Sequence, residues 1–123
     1  MNANDKQAVK EIVGAENFSD SLIDLVTYSY DASDHDHRPE AAAWPTTTEQ
    51  VAAILRLANA SGFPVTPRGA GTSLAGGVVP AQGGLVLDLV RMNRILAVNI
   101  VDRQVVVEPG VVYADLQKLL APQ

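Results

Sequence analysis

A chain of 123 residues suits one domain, and with 47% of them apolar it can bury a core. Its formal charge of -5, from 14 acidic and 9 basic residues without a Lys/Arg cluster, argues against nucleic acid and anionic membrane surfaces as partners. The absence of cysteine excludes disulfides, thiolate metal sites, iron–sulfur ligation and cysteine nucleophiles, and fits a reducing compartment. Residues 1–14, with Asp5, Lys6, Lys10 and Glu11, do not read as a secretory signal. No apolar run reaches the roughly 18 residues that a membrane-spanning helix needs.

In chain order, Ala8, Val9, Ile12 and Val13 lie at helical spacing, with Asn4 as cap, Gln7 after it and Gly14 as stop. A second helix is expected from Ser19, burying Leu22, Ile23, Leu25 and Val26. Residues 28–39 carry turn formers without periodicity and read as a loop. Residues 41–44 suit a short strand ended by Pro45. Thr47 and Gln50 form a capping box for the clearest helix, with Val51, Ile54, Leu55 and Ala58 on its apolar stripe and Gly62 at its end. Residues 63–67 suit a strand, and Pro64 and Pro67 place it at a sheet edge or a strand end.

A glycine-rich stretch over 68–84 leads into a nearly continuous apolar run over 85–89, the pattern of a strand buried on both faces. Residues 95–100 and 104–108 form two strands joined by the short Val101-Asp102-Arg103 turn, hence a hairpin. Pro109 and Gly110 break the second strand, and 113–120 is a last helix. Strand–helix–strand in the middle implies a parallel pair with a right-handed crossover. The fold class expected is α+β: a small parallel β-sheet with helices, plus the beginning of an antiparallel sheet. Residues 1–40 would be N-terminal helices and loop, and 41–123 the first part of the binding domain.

The chemistry concentrates in Arg68-Gly69-Ala70-Gly71-Thr72-Ser73, followed by Gly76-Gly77-Val78. Glycine admits positive φ and close approach of another group to the backbone. Successive N–H groups in such a loop can converge on an anion, and Thr72 and Ser73 add hydroxyls. Arg68 can add a charge or point elsewhere. A loop built only for tight turns is the alternative. A P-loop is excluded, because the only lysines are Lys6, Lys10 and Lys118. A Rossmann fingerprint fails too: after Gly69 and Gly71 the next glycine is Gly76, two positions late. Pro80, Gly83 and Gly84 then interrupt the helix it requires, and Asp88, where a ribose-binding acid would stand, lies in an apolar strand run.

Other polar residues have plainer readings. His35, Asp36 and His37 near Asp31 and Asp34 invite a metal, but no predicted element fixes their geometry and the spacing of a calcium loop fails, so we read a solvated loop. Tyr28, Tyr30 and Tyr113 are expected to pack their rings and wet their hydroxyls. Trp44 is expected to pack, and Glu108, at a strand end, to be solvated. Ser73 has no histidine base, which excludes a serine hydrolase.

Pro67-Arg68-Gly69-Ala70-Gly71-Thr72-Ser73 with Gly76-Gly77 resembles the pyrophosphate loop of the vanillyl-alcohol oxidase (PCMH-type) FAD-binding domain. Within that family it is most similar to the glycolate oxidase flavoprotein subunit and D-lactate dehydrogenases. Further ordered anchors carry the likeness: Tyr30-Asp31-Ala32-Ser33, Trp44-Pro45 through Val51, Leu87-Asp88-Leu89-Val90-Arg91-Met92-Asn93, and Val107-Glu108-Pro109-Gly110-Val111. The resemblance implies FAD bound by the backbone of residues 69–73, with Gly77 and Val78 close by. It implies non-covalent binding, since Thr72 stands where covalent relatives carry a histidine. The implied chemistry is hydride transfer from a 2-hydroxy acid to flavin, giving a 2-oxo acid. A sugar or aldonolactone oxidoreductase is the alternative within the fold, and a folded piece that binds no flavin the alternative outside it. The family's cap domain and second flavin-contacting loop have no counterpart in these residues. The resemblance therefore implies an incomplete domain with no catalytic or metal-binding residue, and with flavin affinity weakened or lost. Implied partners are FAD, a small 2-hydroxy acid in the parent protein, further copies of the chain or other oxidase subunits, and no nucleic acid. The implied location is cytoplasmic, at the inner face of the membrane where partner subunits hold it there.

Overall fold

Two sheets organise the computed structural model, which describes residues 1–121. In chain order the elements are α1 (Ala3–Val13), a 3-10 turn (Ala15–Asn17), β1 (Phe18–Ser19), α2 (Leu22–Thr27) and β2 (Ala41–Ala43). They continue with α3 (Thr48–Ser61), β3 (Val65–Arg68), β4 (Leu85–Asp88), β5 (Ile95–Asn99), β6 (Gln104–Val107) and α4 (Tyr113–Leu120). The first sheet has the order β1-β2-β4-β3, with β2, β4 and β3 parallel and β1 antiparallel to β2. The second is the antiparallel hairpin β5–β6. This is the α+β arrangement expected.

Position in the sheet follows composition. β4 is buried along its whole length and sits between its neighbours, as its apolar run requires. β3 carries Pro67, which cannot donate to a ladder, and takes the edge. The strands flanking α3 do run parallel, but β4 lies between them: Ala41 and Val65 both register with Leu85. α1 packs on α3 and β2. Val9 and Val13 of α1, Ile54 and Ala58 of α3, Phe63, and Ala41, Ala43, Leu85 and Leu87 of the strands form one core. Residues before position 40 therefore share the core of those after it.

Local differences from the sequence expectation have specific causes. α1 is capped by Asn2 rather than Asn4: Asn2 accepts from the Asp5 N–H, and Asp5 reaches back to the Asn2 N–H, closing a capping box. The second helix starts at Leu22, capped by Ser21, because Phe18 and Ser19 are taken into β1 by pairing with Ala43 and Ala42. It is six residues long and buries only Leu25; Leu22, Ile23 and Val26 are exposed. Thr47 caps α3 as expected, while the Gln50 side chain accepts from the Thr46 N–H rather than from that of Thr47. Gly62 closes the helix in the left-handed region at φ 75°. Leu55 is exposed, off the buried stripe.

The hairpin is tied to the first sheet at its base. Gly110 N–H donates to Met92 O at 2.7 Å, and Glu108 N–H to Arg94 O at 2.9 Å. A Cβ on Gly110 would stand 2.3 Å from Leu89 O, so only glycine permits this approach. α4 follows without a buried residue among those described.

Candidate functional site

The carboxyl ends of the parallel strands meet at one place, where α/β sheets usually bind ligands. Trp44 follows β2, Arg68 ends β3 and Asp88 ends β4, with Arg68 and Asp88 in register. β3 runs directly into the glycine loop. Gly71 and Gly76 both stand at φ 73°, the left-handed region that favours glycine. The N–H groups of Ala70, Gly71, Thr72 and Ser73 have no protein acceptor among the described residues. Such a run of free donors is the chemistry of an anion nest.

On its inner side the loop is packed. A Cβ on Gly71 would lie 2.2 Å from Arg68 Nη2, and one on Gly76 would lie 2.5 Å from the His35 ring. Ala32 N–H donates to Ser73 O at 3.0 Å, so the segment before β2 lies along the loop. The Asp31 carboxyl in that segment is held below its ordinary value, first by the Ser33 hydroxyl, then by backbone N–H groups of Ser33 and Gly76 and the nearby His35, against desolvation. Its Oδ2 is buried and has no hydrogen-bond partner among the described residues. Among the described residues no three His, Asp or Glu side chains gather as metal ligands.

Arg68 is buried. Its Nη1 donates to Tyr30 O at 2.9 Å, and its guanidinium carbon lies 5.5 Å from the centre of the Tyr28 ring. The Tyr28 hydroxyl donates to Asp88 Oδ2 at 2.6 Å, and Trp44 Nε1 donates to the Tyr28 hydroxyl at 2.8 Å and to Asp88 Oδ2 at 3.2 Å. Tyr28 is therefore not wet at its hydroxyl, contrary to expectation. Burial, then the Asp88 hydrogen bond and charge, push that hydroxyl well above its ordinary range. Asp88 is buried and engaged with Tyr28, Trp44 and the Val90 N–H, which removes it as a ribose ligand.

A cleft of about 430 Å³ opens beside the loop. Gly69, Ala70 and Thr72 line it together with Val90, Asn93 and Ile95, residues 109–113 and Asp115. Of the other expected site residues, Arg68 lies beneath the loop and Gly71 against it. Ser73 and Val78 are half-buried, Gly76 meets His35, and Gly77 lines a separate hollow with Pro67 and Val79. The residues from Pro109 onward were missed as site residues, although Glu108-Pro109-Gly110-Val111 stood out as a motif.

Glu108 corrects another expectation. It is buried, not solvated, and accepts from Arg94 Nη2 at 2.6 Å, Arg94 Nε at 3.0 Å and Arg94 N–H at 2.8 Å. The guanidinium first, then the backbone N–H, hold its carboxyl below the ordinary value against desolvation. This pair fastens the hairpin base and so sets the far side of the cleft.

The profile of the FAD binding domain family matches residues 39–123. The chain belongs to this family of FAD-binding domains. The domain is 38% identical over 112 residues to the glycolate oxidase subunit GlcD of Bacillus subtilis (strain 168), covering 90% of this chain and 24% of that protein. It is 43% identical over 79 residues to a D-lactate dehydrogenase of Anaerostipes hadrus, covering 64% of this chain and 17% of that protein. A solved structure of p-cresol methylhydroxylase with substrate bound superposes with a TM-score of 0.87 at 27% identity, over 97% of this chain and 24% of that one. The vanillyl-alcohol oxidase (PCMH-type) fold expected from the motifs is thus the fold observed, and FAD is the cofactor. The chain spans about a quarter of the length of the first of these relatives. The site fits a dinucleotide: a glycine cradle with free donors, a buried cation beneath it and an adjoining cleft. None of the described helices is long and apolar enough to cross a membrane.

Proposed function

We propose that the chain is the diphosphate-holding part of an FAD-dependent oxidoreductase that converts a 2-hydroxy acid of the glycolate or D-lactate type into a 2-oxo acid. The cradle of free N–H groups from Ala70 to Ser73 carries the cofactor half of this reading. The similarity to glycolate oxidase and D-lactate dehydrogenase supports the substrate half. The loop Gly69, Ala70, Gly71, Thr72 and Ser73 holds the diphosphate above Arg68, with Gly76, Gly77 and Val78 completing the turn. Thr72 offers no nucleophile comparable to histidine, so FAD is held non-covalently. When bound, FAD supplies the two-electron acceptor that oxidation of an alcohol carbon requires.

The chain's own residues bind and orient. The N–H groups meet the diphosphate, Arg68 stands beneath them, and the cleft beside Thr72 shields what lies against the loop. No proton-transfer role falls to residues in this chain, and we assign it no catalytic residue. The test uses a protein that carries these residues within its full length. FAD should be released intact on denaturation, and glycolate or D-lactate should bleach the flavin absorbance under anaerobic conditions. A flavin that stays on the denatured chain, or one that neither acid bleaches, sinks the corresponding half.

A further inference from the structure

We propose that Arg68 is the positioning residue of the glycine loop, acting through Gly71 rather than by touching the cofactor; this rests on the loop being the diphosphate seat. The backbone of Arg68 is fixed first: its carbonyl accepts from the Leu89 N–H at 2.9 Å, at the end of the central strand. Its side chain then turns inward, nine-tenths buried, bonded to Tyr30 O and laid over the Tyr28 ring. Tyr28 is itself held by Asp88 and Trp44. The loop folds back onto this plane. Guanidinium atoms Nη2, Cζ and Nε would stand 2.2, 2.6 and 2.7 Å from a Cβ on Gly71.

Two consequences follow from chemistry. A planar cation that lies over a ring, bonds a carbonyl and lines a backbone turn fills a role that lysine, a compact point charge, cannot fill. No carboxylate oxygen lies within 4.0 Å of this guanidinium among the described residues. The guanidinium is therefore held by the Tyr30 carbonyl and the Tyr28 ring rather than by an ion pair. Asp88, Tyr28, Arg68 and Gly71 form one line of contacts from the central strand to the cradle.

The test is nitrogen-15 relaxation on the flavin-free chain, comparing the parent with Arg68→Met and Arg68→Lys. Order parameters over residues 69–73 should stand near the rigid value of about 0.85 in the parent and fall below about 0.6 in both variants. Those of Leu85–Asp88 should not change. Should Arg68→Met fail to fold, Tyr28→Leu removes the ring platform instead and should loosen the same residues. Unchanged loop order overturns the proposal. Equal loosening of β4 overturns it too, because Arg68 would then serve only the fold. In a parallel FAD titration, Arg68→Met should weaken binding about tenfold or more. A parent chain that binds no FAD would bear on the loop as diphosphate seat alone, because the relaxation arm contains no flavin.

Discussion

The Tyr28 hydroxyl reaches Asp88 Oδ2 at 2.6 Å across a separation of 60 residues. This bond joins the loop after α2 to the end of the central strand, directly below the glycine cradle. Tyr28→Phe leaves the ring under Arg68 but removes a hydrogen bond to a carboxylate. We expect a loss of about 1.5–3 kcal/mol in urea unfolding. An unchanged midpoint would mean that water replaces the hydroxyl without cost.

Alkaline titration reads the same bond. The Tyr28 hydroxyl is raised in the folded chain, so its contribution is complete below the ordinary tyrosine value of 10.0 and is lost as pH rises beyond it. Parent stability should therefore fall faster above about pH 10 than that of Tyr28→Phe. In absorbance titration the Tyr28 hydroxyl should ionise above the ordinary tyrosine value. A single common tyrosine transition at the ordinary value would contradict this.

Glu108 gives the opposite limb. Its carboxyl is lowered by Arg94, so the contribution is complete above its ordinary value of 4.5 and drains away as pH falls through the lower folded value. Glu108→Gln should flatten the acid side of the stability profile and loosen the hairpin base. Parallel acid limbs in parent and variant would show the pair to be without effect.

Glycines at two sites should behave differently. Gly110→Ala forces a methyl against Leu89 O, and should cost about 1–3 kcal/mol in thermal unfolding. Gly77→Ala places its methyl in open space and should stay within about 0.5 kcal/mol. Equal effects would mean that the hairpin base shifts freely.

The hairpin itself is a candidate for self-association. Leu96, Val98, Ile100, Val105 and Val106 are exposed, and neither strand carries a charge. Light scattering on concentrated chain should give a mass above the monomer, with Val106→Lys restoring it. A monodisperse monomer at high concentration would remove this expectation.

Much of this arrangement was legible in residue order. The apolar run of β4, the prolines at the edge strand, the helix capped by Thr47 and the hairpin around Asp102 all follow from local pattern. The glycine loop was legible as chemistry because free N–H groups and positive φ are properties of a short segment. Polar burial was not. Glu108 is buried only because Arg94, 14 residues away, neutralises it, and the half-buried Tyr28 turns its hydroxyl inward only because Asp88 awaits it. β1 has two residues and exists through its pairing with β2, so nothing local marks it. The inward turn of Arg68 depends on Tyr28 and Tyr30, which periodicity cannot locate.

The central claim, that residues 68–78 seat the FAD diphosphate, is tested most directly by titrating the purified chain with FAD and following flavin fluorescence and heat. Saturable binding, lost in Gly71→Trp, is the predicted result. Binding that Gly71→Trp leaves untouched would place the affinity elsewhere and contradict the account.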